Sequence, residues 1–317
     1  MLVRGDFLAI VRTDIPMTAE AYEQTIRKLV NTYSFLEVER LTTTAFGRPI
    51  YAIEVGNGDR EVLFSAAHHA NEWITTLLLL KFLEELCEAF QNGGKIFGVP
   101  AKNLLKYTTI HLVPMVDPDG VDLVTGAIRP QTPEYNIARQ IAGDFPDIPF
   151  PDGWKANLLG VDLNLQYPAG WLMAREIKFS QGFDRPAPRD YVGRAPLTQP
   201  EARALAEYTQ DVDPALVLAF HTQGKAIYWQ FRDYVVPGAK ALGEEFARVS
   251  GYALEDTPYE SSFAGYKDWF IQSFRRPGFT IEAGKGTNPL PIEQFDEIYK
   301  DVLGILVTAA TGLPEKR

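Results

Sequence analysis

The tract Val62-Leu63-Phe64-Ser65-Ala66-Ala67-His68-His69-Ala70-Asn71-Glu72-Trp73-Ile74-Thr75 decides the architecture of this chain. Its first six residues are all apolar or small, without the alternation of a strand that has one wet face, so they read as a strand covered on both sides. From Glu72 to about Gln91 the residues follow a helical pattern. The tract therefore passes from a buried strand through a short turn into a long helix, half of a βαβ unit. The alternation continues outward. Residues 18–33 have helix-forming composition, and Pro49-Ile50-Tyr51-Ala52-Ile53-Glu54-Val55 reads as a strand. Downstream, strands are expected at 109–114, 215–220 and 279–281, and helices from a capping box at Thr198-Gln199-Pro200-Glu201 and over about 238–250, 263–273 and 292–311. Helices alternating with buried strands give an α/β fold with a mainly parallel sheet. Residues 126–160 and 180–200 are dense in Pro, Gly and polar side chains and read as long loops, which in such folds are more often functional than idle.

Composition narrows the function classes. The chain has 317 residues, 46% of them apolar and 23% charged, which fits one globular α/β domain without repeats or low-complexity runs. A net charge of −10 argues against nucleic acid as a partner. The one cysteine, Cys87, can form no internal disulfide and sits on an apolar helix face. No apolar run approaches the roughly 18 residues needed to span a membrane. Phe7-Leu8-Ala9-Ile10-Val11, flanked by Asp6 and Asp14, is too short and acidic for a secretory segment, so a cytoplasmic location is expected.

The turn after the first-quoted strand contains His69-x-x-Glu72, a spacing that can set an imidazole and a carboxylate on one side of a metal ion. With four histidines in the chain, this motif alone is weak. Two other strand exits reinforce it. The apolar strand 215–220 runs into His221, and the strand 279–281 runs into Glu282. Ligands of open α/β sheets bind at this carboxyl edge. Two imidazoles and one carboxylate, His69, Glu72 and His221, form a catalytic zinc set, which leaves Glu282 free as general base for hydrolysis of an amide. His68, next to a ligand, reads as structural, and His111, inside a strand, as a satisfied core histidine. Asp117 and Asp162 are carboxylates near the ligands. Asp162 reads as orienting an imidazole or fixing its loop.

Taken together, His69-x-x-Glu72-Trp73-Ile74-Thr75, Asp117-Pro118-Asp119-Gly120, Gly160-Val161-Asp162-Leu163-Asn164, His221 and Thr280-Ile281-Glu282 resemble, in order and spacing, the zinc metallocarboxypeptidases related to carboxypeptidase A. The resemblance covers roughly residues 45–310. It implies a mixed eight-stranded sheet between helices, one zinc ion on His69, Glu72 and His221, and Glu282 as the base. Carboxypeptidases of this type carry Asn-Arg to grip the substrate's terminal carboxylate, whereas here Asn164 is followed by Leu165. Lys155 stands where relatives place an arginine that supports the oxyanion, and Tyr259 is the counterpart of a tyrosine upstream of the base.

The stretches 154–157, 164–171, 188–191 and 282–286 are similar to one branch, the bacterial γ-D-glutamyl-L-diamino acid endopeptidases, which cut between γ-D-glutamate and diaminopimelate in peptidoglycan stem peptides. With no composition shift along the chain, a single catalytic domain over 1–317 is expected, with 1–44 as an N-terminal extension and helix; members of the branch often carry N-terminal wall-binding LysM modules, and none is expected here because too few residues precede His69 to hold one beside the first helix and strands. A form acting inside the cell, or after lysis of a sporulating mother cell, is expected. Asn164 is the expected substrate contact, and Lys285, Arg189 or Arg194 would stand in for the missing arginine. Two other readings use the same residues: a conventional metallocarboxypeptidase or amide deacylase, and an inactive wall-peptide binding module. Leu165 weighs against the carboxypeptidase, the chain length against a minimal deacylase, and the intact base against pure binding.

Overall fold

Residues 60–66 form a strand whose side chains divide between two cores. Val62, Phe64 and Ala66 enter one, and Leu63 enters the other. Because successive side chains of a strand point to opposite faces, this split demands cover on both sides. The strand ending at His221 repeats it, with Leu216, Leu218 and Phe220 on one face and Val217 and Ala219 on the other. Helices Ala19–Thr32, Ile74–Gln91, Ala239–Ser250 and Phe295–Thr311 cover the first face, and Trp171–Ser180, Pro200–Val212 and Tyr266–Phe274 cover the second.

The computed structural model describes residues 9–313; Phe7 and Leu8 of the early apolar run lie outside the described residues, while Val11 is buried in the first core. Among the described residues the strands are β1 (Glu37–Thr43), β2 (Pro49–Val55), β3 (Arg60–Ala66), β4 (Lys95–Ile96), β5 (Val99–Pro100), β6 (Thr108–Val113), β7 (Leu216–His221), β8 (Ala226–Tyr228), β9 (Ala253–Glu255) and β10 (Gly278–Glu282). β4 and β5 make a separate short hairpin, and the other eight form one mixed sheet in the order β1-β2-β6-β3-β7-β10-β8-β9. Its four central strands, β6-β3-β7-β10, are mutually parallel, with Glu282 paired to His221 and Ala66 to Phe220. The carboxyl ends of β3, β7 and β10 therefore lie side by side. No helix among the described residues is long and apolar enough to cross a membrane.

Three local expectations need correction. The tract 126–160 contains the helix Pro133–Gly143, started by Thr132, whose side chain accepts from Tyr135 N, with Pro133 in the first turn. That is a helix-start signature lying inside a Pro-rich stretch. Thr198 does not cap the next helix: Gln199 occupies the cap position, and the Thr198 hydroxyl bonds Gln166 Oε1, which also accepts from Thr198 N and Gln199 N. A buried side-chain amide thus replaces the local cap. Strands β1, β8 and β9 went unread because β1 is largely exposed at one sheet edge and β8 and β9 span three residues each, too few to show a period.

Candidate active site

Each metal-competent side chain leaves its element for a local reason. Ala67, in the left-handed region at φ 47°, turns the chain out of β3 and into the Ala70–Glu72 turn. The Thr75 hydroxyl braces that turn, accepting from Ala67 N at 2.9 Å and donating to the Glu72 carbonyl at 2.7 Å. Asp117 Oδ1 caps the helix Pro118–Val124 by accepting from Gly120 N. A Cβ at Gly120 would fall 2.2 Å from Asp117 Oδ2 and 2.7 Å from Ala70 Cβ, so only glycine lets this helix pack so close to the turn. Asp117 serves the scaffold.

The three side chains converge. His69 Nδ1 lies 3.0 Å from Glu72 Oε1, His221 Nδ1 lies 2.9 Å from Glu72 Oε2, and the two Nδ1 atoms are 3.3 Å apart. Two ligands at about 2.0–2.2 Å from a tetrahedral zinc stand roughly 3.3 Å apart. The buried cluster His69, Glu72 and His221, with ligand atoms all within 4.8 Å of one another, fits a zinc site. Its second layer fits too. His69 turns Nε2 to Asp162 Oδ1 at 3.1 Å, the arrangement that fixes which nitrogen faces a metal. Asp162 is itself held by Asn164 N on Oδ1 and Asp190 N on Oδ2.

Electrostatics follow from these contacts. Burial disfavours the Glu72 anion, but Lys155 and the two imidazoles outweigh it and hold the carboxyl well below its usual range. Burial also opposes the charge of His69, yet Glu72 and Asp162 lift it to about 9. A zinc ion held by His69 would take the place of a ring proton. Burial keeps His221 below its ordinary value, so it stands ready as a neutral ligand. Glu282 is raised to about 8, first by burial and then by the charge of Glu72. Burial works against Lys155, but Glu72 raises it, and Lys155 Nζ donates to Glu72 Oε1 at 2.7 Å.

A cavity of about 210 Å³ opens over this cluster and is lined by His69, Glu72, Lys155, Asn164, Leu165, Arg189, His221 and Glu282, together with Asp162, Lys178, Asp190, Tyr228, Lys267, Asp268 and Thr280. Lys155 and Arg189 reach it because their loops are stitched together: Lys155 N and Ala156 N both donate to the Pro188 carbonyl, and Ala70 N to the Lys155 carbonyl. Asn164 Oδ1 accepts from Tyr266 N. A larger groove of about 890 Å³ continues past Lys155, Arg189, Tyr228 and Glu282 toward Asn71, Thr222 and Asn288.

Three expected site residues are not brought to the cavity wall. Tyr259 is 65% exposed and packs edge-on against Phe263 beside a neighbouring apolar hollow that includes Met173. Lys285 and Arg194 are exposed and line neither the cavity nor the groove. His68 is buried with Nε2 on the Ser65 hydroxyl, and His111 is buried with Tyr208 and Glu61 on its two nitrogens, so both are structural histidines.

A family model described as zinc carboxypeptidase matches residues 22–303. The chain belongs to the zinc carboxypeptidase family. It is therefore a zinc metallopeptidase, a hydrolase, and the cluster at the strand ends is its zinc site. The gamma-D-glutamyl-L-diamino acid endopeptidase 1 of Lysinibacillus sphaericus is 47% identical over 282 residues, covering 89% of this chain and 69% of that protein. An uncharacterised protein of Bacillus subtilis is 37% identical, covering 90% of this chain and 75% of its own length. Among solved structures, thrombin activatable fibrinolysis inhibitor superposes with a TM-score of 0.74 at 16% identity over 96% of this chain and 77% of that one. The murein-tripeptide amidase MpaA of Escherichia coli O157 superposes at 0.56 with 19% identity, covering 88% and 93%. These two likenesses bear out the mixed eight-stranded sheet flanked by helices.

The cavity of this zinc peptidase also holds residues that sequence reasoning missed. Tyr228 pairs with Thr280 across β8 and β10, on the same sheet face as Glu282. Its hydroxyl is kept protonated first by burial and then by Glu282. Asp190, in the left-handed region at φ 66°, sends its N–H to Asp162 while its carboxylate receives Lys178 at 2.7 Å and Arg189 at 2.6 Å. The sequence signals for Asp190 were its place in a long loop and in the stretch 188–191 that resembles the endopeptidase branch, and neither assigned it a role. Lys267 and Asp268 sit in what reads as an ordinary amphipathic helix.

Proposed function

We propose that this zinc peptidase hydrolyses the bond between γ-D-glutamate and meso-diaminopimelate in peptidoglycan stem peptides, with 1–317 acting as one catalytic domain. The observation that carries the reading is the 47% identity, over 89% of the chain, with an endopeptidase named for γ-D-glutamyl-diamino acid bonds. Leu165, in the cavity wall beside Asn164, supports it. A leucine cannot make the bidentate grip with which carboxypeptidases hold a free C-terminus.

His69, Glu72 and His221 hold the zinc, which supplies Lewis acidity that lowers the pKa of water and polarises a carbonyl. Glu282 takes the proton from the attacking water and returns it to the leaving amine. A zinc ion on Glu72 would offset the Glu72 charge that helps to raise Glu282, and so favour the ionised carboxylate that accepts the proton. Lys155, fixed beside the ligands by Glu72, faces the negative charge that develops on the carbonyl oxygen. Asn164 and Arg189 contact the substrate. Asp190 fixes Arg189 through Nε, which leaves the outer edge of the guanidinium for a substrate carboxylate. The roles expected of Tyr259, Lys285 and Arg194 are not carried forward.

The test is mass spectrometry of products after incubating zinc-loaded protein with L-Ala-γ-D-Glu-meso-diaminopimelate, an α-linked peptide and a chelator control. Release of free diaminopimelate without trimming of the α-linked peptide is expected. Trimming of the α-linked peptide alone would refute the proposal in favour of a carboxypeptidase.

A further inference from the structure

Two hollows meet over the zinc ligands, and few residues belong to both. Lys155, Arg189, Tyr228 and Glu282 line the cavity and the larger groove, whereas Asn164 and Leu165 line the cavity without reaching the groove. Asn164 and Leu165 occupy the positions with which carboxypeptidases grip the free end of a substrate, on the leaving side of the scissile bond. The groove therefore runs toward the acyl side, and Arg189 stands at its entrance with the base and with the lysine that faces the oxyanion.

Arg189 is built into the scaffold of the zinc site. Its Nε donates to Asp190 Oδ2 at 2.6 Å, and Asp190 N donates in turn to Asp162, the carboxylate behind His69. Lys155 N and Ala156 N both donate to the carbonyl of Pro188, the residue before Arg189. The guanidinium is thus held relative to the metal ligands from two directions. Its side chain is 42% exposed, and neither Nη group has a hydrogen-bond partner among the described residues. Asp190 does not cancel the charge, because the buried Lys178 shares the same carboxylate at 2.7 Å. Two cations on one carboxylate leave an excess of positive charge at the groove entrance, and the open edge of the guanidinium matches the geometry of a carboxylate.

We infer that Arg189 binds the α-carboxylate of the γ-glutamyl residue on the acyl side, and that this contact selects the free acid over its α-amide. The inference deepens the proposed peptidase reading and rests on it. In a γ-glutamyl group the scissile carbonyl ends the side chain, so the α-carboxylate is set back from it by the methylenes of that side chain and extends into the groove. An α-linked residue instead continues into a peptide nitrogen at the carbon next to the carbonyl, and its main chain brings no carboxylate there. An α-amide keeps the shape but loses the charge, and its NH2 turns donors toward donors. Arg189 acts on specificity in this way, while proton transfer stays with Glu282.

The experiment reads binding of the acyl product, without bond cleavage. Isothermal titration of zinc-loaded protein with L-Ala-D-Glu, with L-Ala-D-isoglutamine, which carries the α-amide, and with meso-diaminopimelate as a leaving-side control is run for the parent, Arg189→Met and Arg189→Lys. Zinc content and thermal unfolding check each fold. The parent is expected to bind L-Ala-D-Glu at least about tenfold more tightly than the amide. Arg189→Met is expected to bind the two alike while meso-diaminopimelate binding stays within about threefold of the parent, and Arg189→Lys, which keeps the charge without the fork, to fall between. A parent that binds the two dipeptides alike, or neither at millimolar concentration, overturns the inference, as does an Arg189→Met variant that keeps the parent's ratio. A loss of meso-diaminopimelate binding as large as the loss of L-Ala-D-Glu binding also overturns it, by placing Arg189 on the leaving side. Failure of the γ-glutamyl cleavage assay would instead strike the proposed substrate bond, since this titration involves no cleavage.

Discussion

Asp162→Asn isolates the contribution of the residue behind the zinc ligand. In the parent, Asp162 accepts from three groups: His69 Nε2 at 3.1 Å and Asn164 N at 3.1 Å on Oδ1, and Asp190 N at 3.2 Å on Oδ2. The carboxylate is held ionised, well below its usual range, because His69 outweighs the effect of burial. Asparagine keeps the shape but has one acceptor oxygen, so its NH2 must face either the His69 ring nitrogen or the Asp190 N–H, donor against donor. Two effects follow. Loss of the anion makes His69 a poorer ligand, and partners of this kind are worth about 10–100-fold in metal affinity, or about 1.4–2.7 kcal/mol. One buried donor left unsatisfied costs about 1–3 kcal/mol of stability in the metal-free protein as well. Zinc affinity is measured by competition with a chromophoric chelator, and metal-free stability by urea unfolding. A variant whose zinc affinity stays within twofold of the parent would falsify the assignment of Asp162 as the group that orients and charges His69.

The other predictions concern single positions. Glu282→Gln should abolish hydrolysis while zinc remains bound at parent stoichiometry; turnover near the parent rate would remove Glu282 from the role of base. Leu165→Arg places a guanidinium on the cavity wall next to Asn164, and should create measurable trimming of ordinary free C-termini. No gain in that assay means the absent arginine does not set specificity. Burial lifts Glu201 to about 7, so between the ordinary carboxylate range and pH 7 the folded protein keeps a proton that the unfolded chain has released. Stability therefore falls as pH rises across that window, by at most about 3 kcal/mol. Glu201→Gln should flatten this slope in urea titrations at pH 5, 6, 7 and 8, and an unchanged slope would show that Glu201 is not its source.

The sequence by itself determined the central sheet and the ends of its strands. The runs at 62–67 and 215–220 are apolar or small throughout and carry no charge, and a strand covered on both faces suits such a run. Where each run stops, a His or Glu appears, so His69, Glu72, His221 and Glu282 were legible as one edge before any coordinates. Local chemistry of that kind is written along the chain. What lines the rest of the cavity is not. Asp190 matters because a left-handed turn aims its N–H at Asp162 and its carboxylate at Lys178 and Arg189, residues from three separate segments. Tyr228 enters through a strand of three residues, too short to show a period. Lys267 and Asp268 carry no pattern that separates them from a solvated helix face, and only the packing of their helix against β7 and β10 buries them beside the zinc ligands. Tyr259, Lys285 and Arg194 lie off the cavity wall for the converse reason: sequence distance from a motif does not say which way a loop turns. Tertiary structure alone decided these positions, because burial and direction depend on which distant segments pack together, and a single chain read in order does not contain that.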